Sequence, residues 1–324
     1  MPTVVLSAFP MIDPETYREV LGAAVDEPVD IDVAELGSTE NLIEAAAGAD
    51  AVVTDINTPV TAEALDRLDL DVVVRSAVGV DNVDVAAATA NGVTVTRVPD
   101  YCTDEVATHS VSLLFAALRS LKTYDDAVVD GGWSWEDGRP VHRVSASTFG
   151  LVSFGPIARR AAEQLAGFDA DLVAYDPFVE GEAMAEYGVE KVEFDELFDR
   201  ADHVGVYAPL TDATRGMVDD DALDRLGEHS VLVNVSRGPV VDADALLDAL
   251  EAGEIKGAGL DVLAEEPPDD DPLVGREDTV VTPHAAWYSE EARDDLNRSG
   301  AADVAAVLNG EVPDGRVDPD ADWL

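Results

Sequence analysis

The sequence predicts an α/β protein made of two parallel β-sheets, each flanked by helices, with the second domain inserted into the first. Two observations predict this. Short apolar runs alternate with amphipathic stretches from end to end, the pattern of parallel strands joined by crossover helices. These runs also fall into two series, separated by a long helical stretch from Thr103 to Leu121.

The first series holds the strands Val4-Val5-Leu6, Ala51 to Thr54, Val72-Val73-Val74 and Val93-Thr94-Val95, with helices over Asn41 to Ala47 and Ala62 to Leu68. Pro99-Asp100 marks a turn, and Thr103 or Asp104 suits the N-cap of the helix that follows. The second series reads Phe149 to Val152, Asp171 to Tyr175, His203 to Val206, Val231 to Asn234, Gly257 to Leu260 and Thr279 to Val281. Near-continuous apolar strands of this kind are buried on both faces. An amphipathic stretch from Ser289 to Leu308 then returns the chain to the first domain. The expected division is therefore residues 1–100 with 291–324, and residues 101–290. The tail Pro313 to Leu324 is polar and peripheral, and Asp269-Asp270-Asp271-Pro272 reads as a solvated loop rather than a metal site.

Composition narrows the function. The chain of 324 residues carries Asp+Glu 68 against Lys+Arg 20, a formal net charge of −48. Lys122, Lys191 and Lys256 are its only lysines. Such a surface repels phosphate backbones and anionic lipid, so neither nucleic acid nor membrane is an expected partner. The acids are spread along the whole chain, as in proteins of a salt-loaded, halophilic cytoplasm. Molar salt, with a Debye length of about 3 Å, would screen their mutual repulsion. Cys102 is the only cysteine, which excludes an intrachain disulfide and a cysteine-rich zinc site. The N-terminal residues carry no signal-peptide pattern, and a cytoplasmic location is expected.

After the strand ending at Val152 comes Ser153-Phe154-Gly155-Pro156-Ile157-Ala158 and a helix. A dinucleotide-binding turn wants G-x-G-x-x-G or A there. Ser153 replaces the first glycine, Gly155 is the second, and Ala158 fills the third place. Gly155 would let backbone approach a pyrophosphate, and Pro156 suits the first helical position. Asp176, closing the next strand, would bind ribose hydroxyls and repel a 2′-phosphate, favouring NADH over NADPH. Ser153 either narrows the turn or weakens affinity.

Three further residues follow apolar strands: Arg237, Glu266 and His284. An arginine fork can hold a carboxylate and polarise a carbonyl. A histidine can exchange a proton with an alcohol or a forming alkoxide, and a carboxylate can fix its tautomer. Each also has a plainer reading. Arg237 could pair with a surface acid, His284 could be a satisfied loop residue, and Glu265 is chemically identical to Glu266. His109, His142, His203 and His229 read as structural.

The motifs together resemble the NAD-dependent D-isomer-specific 2-hydroxyacid dehydrogenases. The resemblance is carried by Arg75-Ser76-Ala77-Val78-Gly79-Val80-Asp81-Asn82, Val98-Pro99-Asp100-Tyr101, Ala208-Pro209-Leu210-Thr211, Val235-Ser236-Arg237-Gly238-Pro239, Gly259-Leu260-Asp261-Val262 with Glu266-Pro267, and Thr282-Pro283-His284. It is clear from Val72 to Leu308. His284 to Glu290 is similar to the C-terminal binding protein branch.

The resemblance implies two Rossmann- or flavodoxin-like domains, a substrate domain and an inserted NAD-binding domain with the cleft between them. It implies hydride transfer between NAD(H) and a small 2-oxoacid or D-2-hydroxyacid. Arg237 would bind substrate, Glu266 would partner His284, and His284 would be the acid/base. Ala77, Val78 and Gly79 would cradle the substrate carboxylate, and Tyr101 and Trp287 would line its side-chain pocket. Ser153, Phe154, Gly155, Pro156, Ile157, Asp176, Ala208, Pro209, Thr214, Val235, Ser236 and Asp261 would surround NAD. A homodimer through the cofactor domain, using the helix after Thr103, is also implied. Alternatives are an NADH-sensing corepressor-like binding protein and a phosphite-type dehydrogenase. Formate oxidation is disfavoured, because those enzymes carry glutamine where Glu266 stands.

Overall fold

A computed structural model describes residues 1–321, so the last three residues of the predicted tail lie outside the described residues. The chain divides into two compact units, Met1–Cys102 with Ser289–Leu324, and Thr103–Tyr288.

The first unit holds a parallel sheet of β1 (Thr3–Ser7), β2 (Asp30–Ala34), β3 (Ala51–Thr54), β4 (Val72–Arg75) and β5 (Thr94–Arg97), in the order β2-β1-β3-β4-β5. The apolar strands β3 and β4 are buried throughout. β2, Asp-Ile-Asp-Val-Ala, is a half-polar edge strand without a buried residue, which is why its sequence gave no apolar run. The C-terminal helix Glu290–Leu308, capped by Ser289 through the Ala292 N–H (2.9 Å), packs on the helix Pro14–Ala24 and on β4. Asn297 ties the two helical segments together, accepting from Asp13 N–H (2.7 Å) and donating to the Met11 carbonyl (3.0 Å).

The second unit holds β6 (Thr148–Val152), β7 (Asp171–Tyr175), β8 (Glu190–Lys191), β9 (His203–Val206), β10 (Val231–Asn234), β11 (Gly257–Leu260) and β12 (Thr279–Val281), all parallel, ordered β12-β11-β10-β9-β6-β7-β8. The helix Thr103–Leu118 lies on this sheet. A Cβ at Gly259 would stand 2.8 Å from the Leu113 Cβ, so the helix approaches β11 as closely as a glycine allows.

That helix ends earlier than its sequence predicts. Ser120 takes a left-handed conformation (φ 52°) and donates to the Gly138 carbonyl (3.0 Å), and a second helix, Leu121–Val129, starts there. Thr103 and Asp104 lie in the first turn rather than at the cap. In the predicted aspartate loop, Asp269 and Asp270 are exposed and Asp271 accepts the Leu273 N–H (2.9 Å). No helix among the described residues is long and apolar enough to cross a membrane.

At the start of β9, His203 is buried against Phe149, and its Nδ1 accepts the Val231 N–H (3.3 Å). Burial, opposed by Asp202 and reinforced by Lys256 and His142, pushes its pKa down from 6.5 to about 4. The unfolded chain takes up this proton first as pH falls. Its stabilisation is therefore complete above pH 6.5 and is lost between 6.5 and about 4, at up to about 1.4 kcal/mol per pH unit. The melting temperature of the wild type should fall toward that of His203→Gln over this range. A gap between the two proteins that stays constant with pH would contradict the assignment.

Candidate active site

Three adjacent strands carry the site. Asn234 of β10 faces Leu260 of β11, which faces Val281 of β12. Their carboxyl ends are therefore level, with neighbouring strands about 4.8 Å apart. Arg237 follows the first end, Asp261 the second, and Thr282 to His284 the third.

Asn234 shapes the turn that bears Arg237. Its Oδ1 accepts from the Ser236 N–H (3.0 Å) and hydroxyl (2.9 Å), and its Nδ2 donates to the Arg237 carbonyl (2.9 Å). Val235 and Ser236 are buried, and Arg237 is partly exposed, its Nη1 donating to the Ser236 carbonyl (2.8 Å). Gly238 then runs against the loop after β11, where a Cβ would stand 1.9 Å from the Leu263 carbonyl oxygen. This approach draws the Arg237 turn toward the loop bearing Glu266.

Glu266 uses both oxygens. Oε1 accepts the Leu263 N–H (3.0 Å), and Oε2 lies 2.7 Å from His284 Nδ1. Burial works to raise its carboxyl pKa. The hydrogen bond and charge of His284, the Leu263 N–H and the Arg237 charge together outweigh it and hold the carboxyl below its ordinary value. An ionised Glu266 only accepts, so His284 carries a proton on Nδ1, and Nε2 is the nitrogen not committed to this contact. The His284 side chain is 30% exposed. Its backbone is left-handed (φ 51°), a strained conformation for a residue with a side chain.

Asp261 holds that conformation. Fully buried, it accepts Thr282 Oγ1 (2.6 Å) and the Ala285 N–H (2.9 Å) on Oδ1, and the Ala286 N–H (2.9 Å) on Oδ2. Its carbonyl accepts the His284 N–H (2.9 Å). Asp261 thus anchors the turn of His284 on both sides.

His109, from the helix Thr103–Leu118, joins the same group, its Nε2 2.9 Å from Thr282 Oγ1 and 3.5 Å from Asp261 Oδ1. His109, read from the sequence as structural, thus meets the turn that bears His284. The signal was its place on the sheet-facing stripe, three residues after Val106 and four before Leu113, both buried.

The strand order reverses between β6 and β9, the usual place for a nucleotide in such sheets. Ser153 to Ile157 follow β6, and Ala208, Pro209 and Thr214 follow β9. Gly155 begins the helix Pro156–Ala166, and no side chain caps it. A Cβ at Gly155 would meet nothing within 4 Å, so the uncapped N–H groups are open to a phosphate.

Ser153 has φ 76°, the left-handed region that a glycine would occupy without strain. Its Oγ donates to Asp176 Oδ2 (3.2 Å), which also accepts the Phe154 N–H (2.8 Å), while Oδ1 accepts the Phe178 N–H (2.9 Å). The serine thus exchanges backbone ease for a bond to Asp176, and the buried Asp176 braces the turn. Thr214 closes the loop after Ala208 and Pro209 by donating to the Pro209 carbonyl (2.5 Å).

In the first unit, the Ala77 N–H donates to the Arg75 carbonyl (2.8 Å), and Arg97 Nη1 braces the turn through the Val78 carbonyl (2.9 Å). Tyr101 is buried in this unit. Trp287, in the second unit, meets the Tyr288 ring edge-on at 5.4 Å.

Comparisons with known proteins show the family. The NAD-binding domain of the D-isomer specific 2-hydroxyacid dehydrogenases matches residues 111–286. A D-3-phosphoglycerate dehydrogenase of Mycobacterium tuberculosis is 37% identical over 294 residues, 90% of this chain and 56% of its own length. The chain thus spans about half the length of such relatives. A glyoxylate reductase of Korarchaeum cryptofilum is 37% identical over 281 residues, 85% of each chain. The crystal structure of the TT0316 protein from Thermus thermophilus superimposes with a TM-score of 0.87 at 26% identity, covering 98% of this chain and 100% of that one. A nucleotide-binding sheet that carries Arg237, Glu266 and His284 at its edge, with relatives matched along most of the chain, places the protein in the D-isomer specific 2-hydroxyacid dehydrogenase family.

Proposed function

We propose that the protein interconverts a small 2-oxoacid and its D-2-hydroxyacid, with His284 as acid/base and NAD(H) as cofactor. The observation that carries this reading is the 2.7 Å contact between His284 Nδ1 and Glu266, in a loop that also feels the Arg237 charge. NADH, when bound, supplies the hydride. Arg237 holds the substrate carboxylate and polarises its carbonyl. His284 Nε2–H gives a proton to the carbonyl oxygen, and Glu266 stabilises the imidazolium through Nδ1–H; oxidation reverses these transfers.

In the first unit the Val78 and Gly79 amides serve as a carboxylate cradle, the Ala77 amide being engaged with Arg75. Asp261 would lie near the nicotinamide amide, its own carboxylate already held by Thr282, Ala285 and Ala286. Phe154, Pro156, Ile157 and Ala208 would frame the dinucleotide. Ser236 and Val235 would line its nicotinamide end. Asp176 favours NADH over NADPH by repelling a 2′-phosphate.

A homodimer through the cofactor unit is part of the proposal. The helix Leu121–Val129 has no buried residue, and Val129, Trp133 and Trp135 near it are strongly exposed, a surface suited to a second copy. The net charge of −48 supports a cytoplasm rich in salt.

The test is a panel of 2-oxoacids with NADH and NADPH at molar and low salt. Turnover with NADH, falling at low salt, is expected. Arg237→Ala should lose kcat and substrate affinity together, and wild-type-like kcat/KM in that variant would sink the assignment. Preference for NADPH would remove the role of Asp176. NADH binding without turnover would favour the corepressor-like alternative.

A further inference from the structure

We infer that His109 is a positioning residue for the reaction, acting on His284 through Thr282 and Asp261; the inference rests on the acid/base role proposed for His284. The direction of each hydrogen bond follows from the chemistry of its partners. Asp261 is a carboxylate and accepts, so the Thr282 hydroxyl gives its single proton to Oδ1 over 2.6 Å. The hydroxyl then offers His109 only a lone pair, and His109 Nε2, 2.9 Å away, must be the donor.

The same carboxylate receives the amides of Ala285 and Ala286, the two residues after His284. The chain His109 to Thr282 to Asp261 therefore ends on the peptide turn that forces His284 into its left-handed conformation. His109 arrives from a different element, the helix Thr103–Leu118, which fixes the turn against the rigid body of the sheet. Without that donor the Thr282 hydroxyl keeps only its bond to Asp261, which is no longer polarised by a second partner, and the aim of Nε2 of His284 loosens.

Side-chain length provides the test. Gln can place its amide nitrogen where Nε2 stands and donate to Thr282, whereas Asn is too short. His109→Gln should keep kcat within about threefold of the wild type, and His109→Asn should lose about tenfold or more, with KM little changed. NADH binding, read by fluorescence, and the melting temperature should be the same in both variants. Imidazole NMR of His284 supplies a readout independent of turnover: its Nδ1–H signal should stay sharp in His109→Gln and broaden in His109→Asn. Equal kcat and equal NMR signals in the two variants would overturn the inference, as would losses that simply follow melting temperature. If the wild type turned over no 2-oxoacid, the proposed reaction would fail, and the NMR comparison would still decide whether His109 positions His284.

Discussion

Replacing His284 with alanine is expected to lower kcat for 2-oxoacid reduction by about a thousandfold, the middle of the range for loss of a general acid. NADH binding should survive, because the uncapped helix at Gly155 and the brace at Asp176 lie after other strands of the sheet. Stopped-flow turnover with parallel fluorescence titration separates the two quantities; a loss of less than tenfold would point to another proton donor. Glu266→Gln should act more gently and with a definite sign. The Glu266 carboxyl is held below its ordinary pKa by His284, Leu263 and Arg237 against the effect of burial, so it is charged throughout neutral pH. A neutral amide can still accept the Nδ1–H of His284 but lends it no charge, so kcat for reduction should fall by less than in His284→Ala, which the same turnover assay reads.

Gly238→Ala should have the largest effect on the fold. The added Cβ would lie 1.9 Å from the Leu263 carbonyl oxygen and 2.1 Å from its carbon, so backbone must move. A cost of about 3 kcal/mol is expected, lowering the melting temperature by roughly 6–12 °C for a unit of this size. The displaced segments are those bearing Arg237 and Glu266. The kcat/KM of the molecules that remain folded should therefore fall as well, which calorimetry and kinetics on one preparation would distinguish from unfolding. A melting temperature within a degree of the wild type would mean that the two loops part easily.

The parts of the fold legible in the sequence were those written in apolar runs. β3, β4, β10 and β11 are buried along their whole lengths and announced themselves. β2 and β8 were illegible because edge strands need only one neighbour and can be built from polar residues such as Asp30, Asp32 and Glu190. The break at Ser120 depends on a hydrogen bond to Gly138, a partner distant in the chain, and leaves no local mark. Arg237, Glu266 and His284 could be found because each sits beside a turn-forming glycine or proline. For His109 the stripe marks only that it faces the sheet; its meaning comes from Thr282, which only folding brings within reach. Ser153 was visible as a missing glycine, but its bond to Asp176 was not.

The helix Glu290–Leu308 has a consequence for how the chain is made. It packs on Pro14–Ala24 and β4, which are synthesised first, yet it is among the last segments to be translated. The first sheet has all five of its strands by Arg97 but must wait for this helix while the whole of the second unit is produced. The second unit is continuous in sequence and needs nothing downstream of Tyr288 to close its core. The first unit, begun first, is therefore completed last: its strands spend that interval without the helix that packs on β4, the period in which a chaperone would be most useful.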